Sequence, residues 1–272
     1  IAAQSVGLSQ AAYNEALAYA KDRKQFGKAI IEFPAVAEIL SLMKAKLDAS
    51  RSLLYETARF VDVYKALDDI AKERKLTPEE RAEQKTFAKL ADAFTPLGKG
   101  MGSEFANQNA YDCIQIHGGS GFMKDYACER IYRDSRITSI YEGTTQLQVV
   151  AAIRYVMTGA YLARIQEYEN MPVAPELEGL QNRLKSMASK YAACVTQITE
   201  AKDQELLDFC ARRLVEMAAH IIMGHLMVQD ASKSDLFSES AQVYVRYAEA
   251  EVEKHINFIR KFDKDDLAYY RK

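Results

Sequence analysis

The chain has 272 residues, of which 49% are apolar, and its formal net charge at pH 7 is −2. This length can bury a sizeable core in one or two domains, and the near-neutral charge argues against a nucleic-acid-binding protein. Four dispersed cysteines without paired metal spacing indicate reduced thiols in a cytoplasmic protein rather than a metal site or a catalytic thiol. No apolar run reaches the ~20 residues that cross a bilayer, so membrane association is not expected.

The first predicted helix runs from Ile1 to about residue 24, because apolar residues recur at helical spacing from Val6 to Ala20. The pattern begins at once and without an initiator methionine, so we expect the chain to be a fragment of a longer polypeptide. Basic residues, among them Arg23 and Lys28, gather where this helix ends. Cations are favoured at a helix C-terminus by the macrodipole, which is the structural explanation of this cluster.

Two long helices are predicted next. Pro34 suits a first helical position, and the apolar stripe behind it predicts a core helix to about residue 67. Residues 68–77 are charged and predict a solvated connector. The segment Thr77-Pro78-Glu79-Glu80 then has the pattern of a capping box that starts the second helix, with an irregularity expected near Pro96. The glycine series at 98–102 lacks the preceding strand of a phosphate loop and predicts close helix packing.

The stretch from Cys113 to Gln148 contains two glycine-rich turns. The first reads Gln115-Ile116-His117-Gly118-Gly119, and its glycine pair permits positive φ and close approach of the backbone to a ligand. A short helix is predicted at about 126–134. The second turn reads Ile140-Tyr141-Glu142-Gly143-Thr144-Thr145-Gln146 and enters a helix to about residue 158, with Thr144 or Thr145 as its N-cap. Backbone N–H groups at such a helix start favour anionic ligands.

Together with the segment Arg23-Lys24-Gln25-Phe26-Gly27-Lys28, these two turns resemble the acyl-CoA dehydrogenase family. The three segments occur in the family's order and at family-like separations. The resemblance covers residues 1–160 and implies an all-α fold, a four-helix-bundle-type acyl-CoA dehydrogenase C-terminal domain. Residues 161–272 are expected to form the additional C-terminal helical domain that larger members of the family carry.

The resemblance also implies an FAD site shared between subunits, and hence a homodimer or a homotetramer. Four residues are implied to contact the FAD of a neighbouring subunit: Arg23 at the pyrophosphate, Phe26 near the flavin, and Gln115 and Gly119. Thr144 and Gln146 are implied to contact the FAD of their own subunit. Tyr141 and Gly143, on either side of Glu142, are the implied substrate contacts, whereas His117 is assigned no chemistry.

The predicted chemistry depends on Glu142. Taken alone, an acidic residue before a helix is explained by stabilisation from the helix dipole. In the family, this residue is the base that takes the α-proton of an acyl-CoA thioester, and its backbone N–H helps to polarise the thioester carbonyl. A carboxylate with an ordinary pKa of about 4.3 becomes a competent base in a dry pocket, where burial raises its pKa. We therefore expect the Glu142 carboxyl to project into a water-poor cleft between helices, close to the Gly118 turn.

Beyond residue 160 the pattern changes. A linker at 170–175 precedes three predicted helices, at roughly 176–200, 203–231 and 235–269. The run from Ala219 to His225 has two interpretations, a membrane-seeking face or a buried helix–helix contact. Acidic residues balance the basic ones around it, whereas membrane-surface helices are strongly basic, so the buried contact is favoured. His220 and His225 are spaced poorly for chelation from one helix and are interpreted as structural.

The sequence thus predicts an FAD-dependent acyl-CoA dehydrogenase that acts on an acyl-CoA and passes electrons to an electron-transfer flavoprotein. The alternatives are an acyl-CoA oxidase of the same fold and a non-enzymatic helical scaffold. Family members that bind DNA are basic in their C-terminal region, and this chain is not. The resemblance places the rest of the flavin site on an N-terminal helical domain and a middle β-domain, so this chain alone is expected to be inactive and to bind FAD weakly.

Overall fold

A computed structural model describes residues 1–262 and 264–270, and almost all of its regular structure is helical, as predicted. The helices are α1 (Ala2–Asp22), α2 (Pro34–Glu73), α3 (Pro78–His117), α4 (Cys128–Ser135), α5 (Thr145–Met157), α6 (Ala160–Glu169), α7 (Glu178–Glu200), α8 (Gln204–Lys233) and α9 (Ser238–Lys261). An antiparallel hairpin of β1 (Lys24–Gln25) and β2 (Lys28–Ala29) follows α1. Short 3-10 helices occupy Ile30–Glu32, Gly118–Phe122, Arg136–Ser139, Pro175–Leu177, Asp235–Phe237 and Lys264–Tyr270.

The chain divides into two compact units, Ile1–Gln148 and Val149–Lys272. The division falls within α5, and the domain boundary predicted near residue 160 stays a prediction. In the first unit, α2 and α3 form an antiparallel pair, since Phe60 packs edge-on against Phe94 and Asn109 donates to the carbonyl of Met43 at 3.0 Å.

Helix α1 runs parallel to α3 along the glycine series. A Cβ placed at Gly98 would lie 3.8 Å from that of Ala2, and one at Gly102 would lie 3.7 Å from that of Ser5. Both distances are ordinary van der Waals contacts, so α1 packs along the glycine series and each of the two positions would also accommodate a methyl group. That the glycines are needed for close helix packing stays a prediction. The irregularity expected at Pro96 does not interrupt α3, which continues through it.

The start of α3 confirms the predicted capping box. Thr77 Oγ1 accepts from the backbone N–H of Glu80 at 3.2 Å, and the Glu80 carboxylate accepts from the N–H of Thr77 at 2.9 Å. The preceding connector is shorter than predicted, because α2 continues to Glu73. Residues 68–73 contain no glycine or proline to end the helix, and Lys72 pairs with Asp69 one turn earlier at 2.6 Å.

The three helices predicted in the second unit are confirmed as α7, α8 and α9, although the last regular α-helix ends at Lys261. The run from Ala219 to His225 on α8 is buried throughout, so the helix–helix contact is confirmed and the membrane-seeking face is not. His220 Nδ1 lies 3.2 Å from the hydroxyl of Tyr244 on α9, and His225 stacks at 6.3 Å on Tyr168 of α6. No helix within the described ranges has the length and apolarity to cross a bilayer.

Candidate functional site

The turn that carries Glu142 has an unusual backbone. Glu142 has φ +53° and Gly143 has φ +90°, so two successive residues occupy the left-handed region, which side chains other than glycine rarely adopt. The side-chain amide of Gln148 donates to the carbonyls of Glu142 at 3.2 Å and of Gly143 at 3.3 Å. A non-glycine residue in such a conformation, maintained by surrounding contacts, is typical of functional sites.

Two side chains of α3 hold this turn in place through hydrogen bonds. Lys99 Nζ donates to the carbonyl of Gly143 at 2.5 Å, and Glu104 accepts from the hydroxyl of Thr145 at 2.6 Å. Lys99 is buried, and desolvation lowers the pKa of its amine, an effect that the charge of Glu104 opposes. Neither residue was predicted from the sequence. The signal for Lys99 was a single charged residue within a glycine series that faces the core.

We expect Lys99→Met to destabilise the chain by about 1–3 kcal/mol, because the Gly143 carbonyl loses its charged donor and keeps only the amide of Gln148. Urea unfolding at neutral pH measures the difference. Lys89→Met is the matched control, since Lys89 is an exposed residue of the same helix. Equal unfolding free energies for the two variants would contradict a role of Lys99 in holding the turn.

Thr144 is the N-cap of α5. Its Oγ1 accepts from the N–H of Leu147 at 3.3 Å, whereas the hydroxyl of Thr145 is directed to Glu104. The structure therefore selects Thr144 from the two residues predicted as the cap. Thr145 is the first residue of the helix, so the positive end of the helix dipole lies at this turn.

A cavity of about 340 Å³ opens beside this helix start. It contains Thr144 and Gln146, which are both implied to contact FAD, and adds the guanidinium of Arg136, which donates to Ser139 Oγ at 2.5 Å. A helix N-terminus and a guanidinium together favour an anionic group such as a phosphate. The full lining is Glu104, Asn107, Arg136, Ser139, Ile140, Thr144, Thr145 and Gln146.

The expectation of a water-poor cleft around Glu142 is wrong for this chain taken alone. The residue is exposed, and the described part of the chain supplies no apolar wall that would cover its carboxyl. Tyr141, which was predicted to contact substrate, is half-buried and its hydroxyl donates to Gln4 of α1. Any desolvation of the Glu142 carboxylate must therefore come from groups outside these residues or from a bound ligand.

The other predicted cofactor residues form a second cluster at the opposite end of α1. The helix ends at Asp22, earlier than predicted, and the basic segment forms a hairpin instead of a helix end. Phe26 and Gly27 have φ +50° and +85°, the signature of a type I′ turn, and the Phe26 side chain is 93% exposed. Arg23 is exposed at the base of this hairpin, where its carbonyl accepts from the N–H of Ile30 at 2.8 Å.

The Gly118 turn is in contact with the last turn of α1, the helix that the hairpin follows. Tyr19 of α1 makes this contact, since its ring stacks on His117 at 4.2 Å and its hydroxyl lies 3.4 Å from Ser120 Oγ. Gly118 has φ +58°, as its glycine identity suggested, and Gln115 and Gly119 are exposed beside it. The four residues assigned to a neighbouring subunit's FAD thus lie at the C-terminal ends of α1 and α3.

The two clusters are far apart. Lys99 contacts the Glu142 turn and His117 precedes the Gly118 turn, and these residues are separated by 18 positions of one continuous helix, or about 27 Å at 1.5 Å per residue. The expectation that Glu142 lies close to the Gly118 turn is therefore wrong. The reason is physical: α3 is a rigid rod between the two turns, so they cannot serve one ligand within one chain.

Comparisons with known proteins agree with this architecture. The family model for the acyl-CoA dehydrogenase C-terminal domain matches residues 1–156, and a second model, acyl-CoA dehydrogenase C terminal, matches residues 157–267. Two curated relatives are each 38% identical over 148 residues, which is 54% of this chain and 33% of theirs. They are the caffeyl-CoA reductase-Etf complex subunit CarC of Acetobacterium woodii and the 3-(aryl)acrylate reductase of Clostridium sporogenes.

The chain spans about a third of the length of these relatives. Among solved structures, an acyl-CoA dehydrogenase complexed with FAD from Bacillus anthracis matches 98% of this chain and 49% of its own, with a TM-score of 0.73 and 24% identity. That likeness shows the fold across both units. Because the first family model covers more than half of the residues, the chain belongs to the acyl-CoA dehydrogenase family.

Proposed function

We propose that this chain is the C-terminal part of an FAD-dependent acyl-CoA dehydrogenase in which Glu142 is the catalytic base. The observation that carries the proposal is the left-handed backbone at Glu142, which Gln148 and Lys99 support through the carbonyls of Glu142 and Gly143. A carboxylate would not need that support to stabilise a helix dipole. It needs such support when its position relative to a reacting atom matters.

The residues around the cavity fit the polar part of FAD. Arg136 and the start of α5 suit a pyrophosphate, and Thr144 and Gln146 supply neutral hydrogen-bonding groups beside it. When bound, FAD supplies the acceptor for the hydride that leaves the β-carbon. The residues of this chain would position the acyl thioester and receive the α-proton on the Glu142 carboxylate.

Because Glu142 is exposed in this chain, other parts of the enzyme or its ligands must exclude water from the carboxylate. A carboxylate in water is a weak base, and removal of water raises its pKa toward the range in which it can accept an α-proton. We propose that the thioester, the flavin and the other domains cover Glu142 in the complete enzyme. In this arrangement the chain contributes the position of the base, and the ligands contribute its basicity.

The separation of the two clusters supports a shared site. With about 27 Å between them, the Arg23 and Gly118 cluster would contact the FAD of a neighbouring subunit while the Glu142 cluster serves its own. We therefore propose a homodimer or a dimer of dimers. Exposed Phe26, on the turn of the hairpin, has the high exposure expected of a residue that another subunit or a ligand covers.

An electron-transfer flavoprotein is the proposed redox partner. One relative is by name a subunit of a reductase complex with Etf. The names of these two relatives describe reduction, and other relatives are named dehydrogenases, so we propose that the direction of the reaction depends on the partner and the substrate. The same carboxyl group would return the α-proton in reduction. An acyl-CoA oxidase remains the alternative, and it differs only in using oxygen to reoxidise the flavin.

The test is anaerobic mixing of the complete flavoenzyme with a panel of saturated acyl-CoA thioesters. We expect bleaching of the flavin's visible absorbance, and reoxidation by an electron-transfer flavoprotein or ferricenium faster than by oxygen. The 272-residue chain alone is expected to purify without stoichiometric flavin in an absorbance scan. Absence of bleaching with every thioester would contradict the proposed function, and fast oxygen consumption would favour the oxidase.

A further inference from the structure

Three potential metal ligands meet beneath the Gly118 turn. Cys113 and His117 lie one helical turn apart on α3, and Cys128 is the first residue of α4. All three side chains are buried, and the two sulfur atoms and a ring nitrogen of His117 lie within 4.8 Å of one another. The three residues look dispersed in the sequence, because Cys128 approaches the other two only through the fold. The i, i+4 spacing of Cys113 and His117 was the available signal.

We propose that Cys113, His117 and Cys128 form a binding site for one zinc-class metal ion. Two thiolates and an imidazole are ligands that Zn²⁺ prefers, and Zn–S and Zn–N bonds of about 2.3 and 2.0 Å place tetrahedral ligand atoms roughly 3.5–3.8 Å apart. The Cys113 sulfur already lies 3.9 Å from His117 Nδ1. The three ligand atoms lie within 4.8 Å of one another, so each pair must close by at most about 1.3 Å to reach metal-binding geometry.

The surroundings hold the ligands in place. The imidazole of His117 is stacked on Tyr19 and meets the edge of Tyr126 at 5.3 Å, so aromatic rings fix it and exclude water. In the metal-free chain, its Nδ1 donates to the carbonyl of Cys113 at 2.8 Å. Ligation through Nδ1 would exchange that hydrogen bond for the metal and move the ring proton to Nε2. The Cys128 sulfur lies 3.5 Å from the carbonyl of Gly121, which is a candidate fourth ligand.

Metal binding at this site balances in charge. Binding of a divalent ion by the two cysteines releases two thiol protons to solvent and leaves two thiolates whose charge the metal compensates.

The position of the site gives it a structural role. It joins the last turn of α3 to the first turn of α4, and it closes the loop that contains Gly119 and Phe122. A metal there would hold the Gly118 turn in a fixed conformation. This proposal does not depend on the flavin or on the base at Glu142, and its test requires neither.

The test is a titration of the reduced, metal-free 272-residue chain with Zn²⁺ and Co²⁺. We expect one equivalent to bind, with a thiolate-to-Co²⁺ charge-transfer band and a raised Tm. Cys128→Ala should weaken Zn²⁺ binding by at least about 100-fold, more than the loss of an outer-shell partner. Cys194→Ala, at a buried cysteine outside the cluster, is the matched control and should bind as the parent does.

X-ray absorption at the zinc edge of the parent chain keeps the proposal testable even if a variant fails to fold. We expect two sulfur ligands and at least one nitrogen ligand. The proposal is overturned if the parent binds no stoichiometric zinc, if its zinc has no sulfur ligand, or if Cys128→Ala binds with the parent's affinity. A Cys113–Cys128 disulfide that persists under reducing conditions would also overturn it.

Discussion

In the complete flavoenzyme, Glu142→Gln is expected to lower the rate of flavin reduction by acyl-CoA by about 10²–10⁴-fold, the usual contribution of general-base catalysis. Glutamine has nearly the same shape as glutamate and carries no basic carboxylate. The strained φ of +53° at this position is equally unfavourable for glutamate and for glutamine. Binding of FAD and of the thioester should therefore change little, and the loss should appear in the chemical step.

Stopped-flow absorbance of the flavin under anaerobic conditions measures that step. Glu83→Gln is the matched control, because Glu83 is an exposed residue of α3 remote from the turn. The assignment of the base fails if Glu142→Gln reduces the flavin as fast as the parent. A variant that loses FAD instead of rate would indicate that the carboxylate supports the cofactor site and not the proton transfer.

Local patterns in the sequence predicted local structure well. The capping box at Thr77, the first helical position of Pro34 and the cap at the start of α5 each depend on a few consecutive residues. The hairpin after α1 was missed, because the segment was interpreted through its charges rather than through Phe26 and Gly27 as a type I′ turn. Its signal was an aromatic-glycine pair between two short segments, Lys24–Gln25 and Lys28–Ala29.

Contacts between distant segments could not be predicted in this way. Lys99 and Glu104 reach the turn around Gly143 across some forty positions of sequence, and no periodicity encodes which side chain of α3 faces that turn. The same limit applies to Leu147 and Val150 of α5, which fit an apolar helical pattern and yet are more than half exposed. A pattern shows which face of a helix is apolar, and only the fold shows what covers it.

The dry cleft around Glu142 is the most informative error. The prediction started from the chemical requirement that the catalytic base be shielded from water. It then assumed that the residues of this one chain provide the shielding. The exposure of Glu142 excludes that assumption, and the length of α3 excludes a cleft shared with the Gly118 turn. The resemblance to the family already implied two different FAD contacts. The sequence therefore identified the candidate residues, but their division into two clusters needed the structure.

The second large effect is expected in the second unit, at acidic pH. Burial lowers the pKa of His220 and of His225 to about 4, whereas an unfolded histidine has a pKa of about 6.5. Between these values the unfolded state binds more protons than the folded state, so stability falls as pH falls from 6.5 to 4. Above pH 6.5 both states are neutral at these residues and the effect disappears. At pH 5 each histidine should cost about 2 kcal/mol of the free energy of unfolding.

His225→Leu separates this effect from general acid sensitivity. His225 Nε2 is buried and has no hydrogen-bond partner among the described residues, so the substitution by leucine removes no hydrogen bond at that atom. Urea unfolding at pH 7.5 and pH 5 should show a drop in stability that is smaller in the variant than in the parent by about 2 kcal/mol. His220 is the less suitable position, because its ring contacts the hydroxyl of Tyr244. Equal drops in stability in the parent and in His225→Leu would mean that His225 is already protonated in the folded chain. The assignment of a buried, neutral imidazole to this residue would then be wrong.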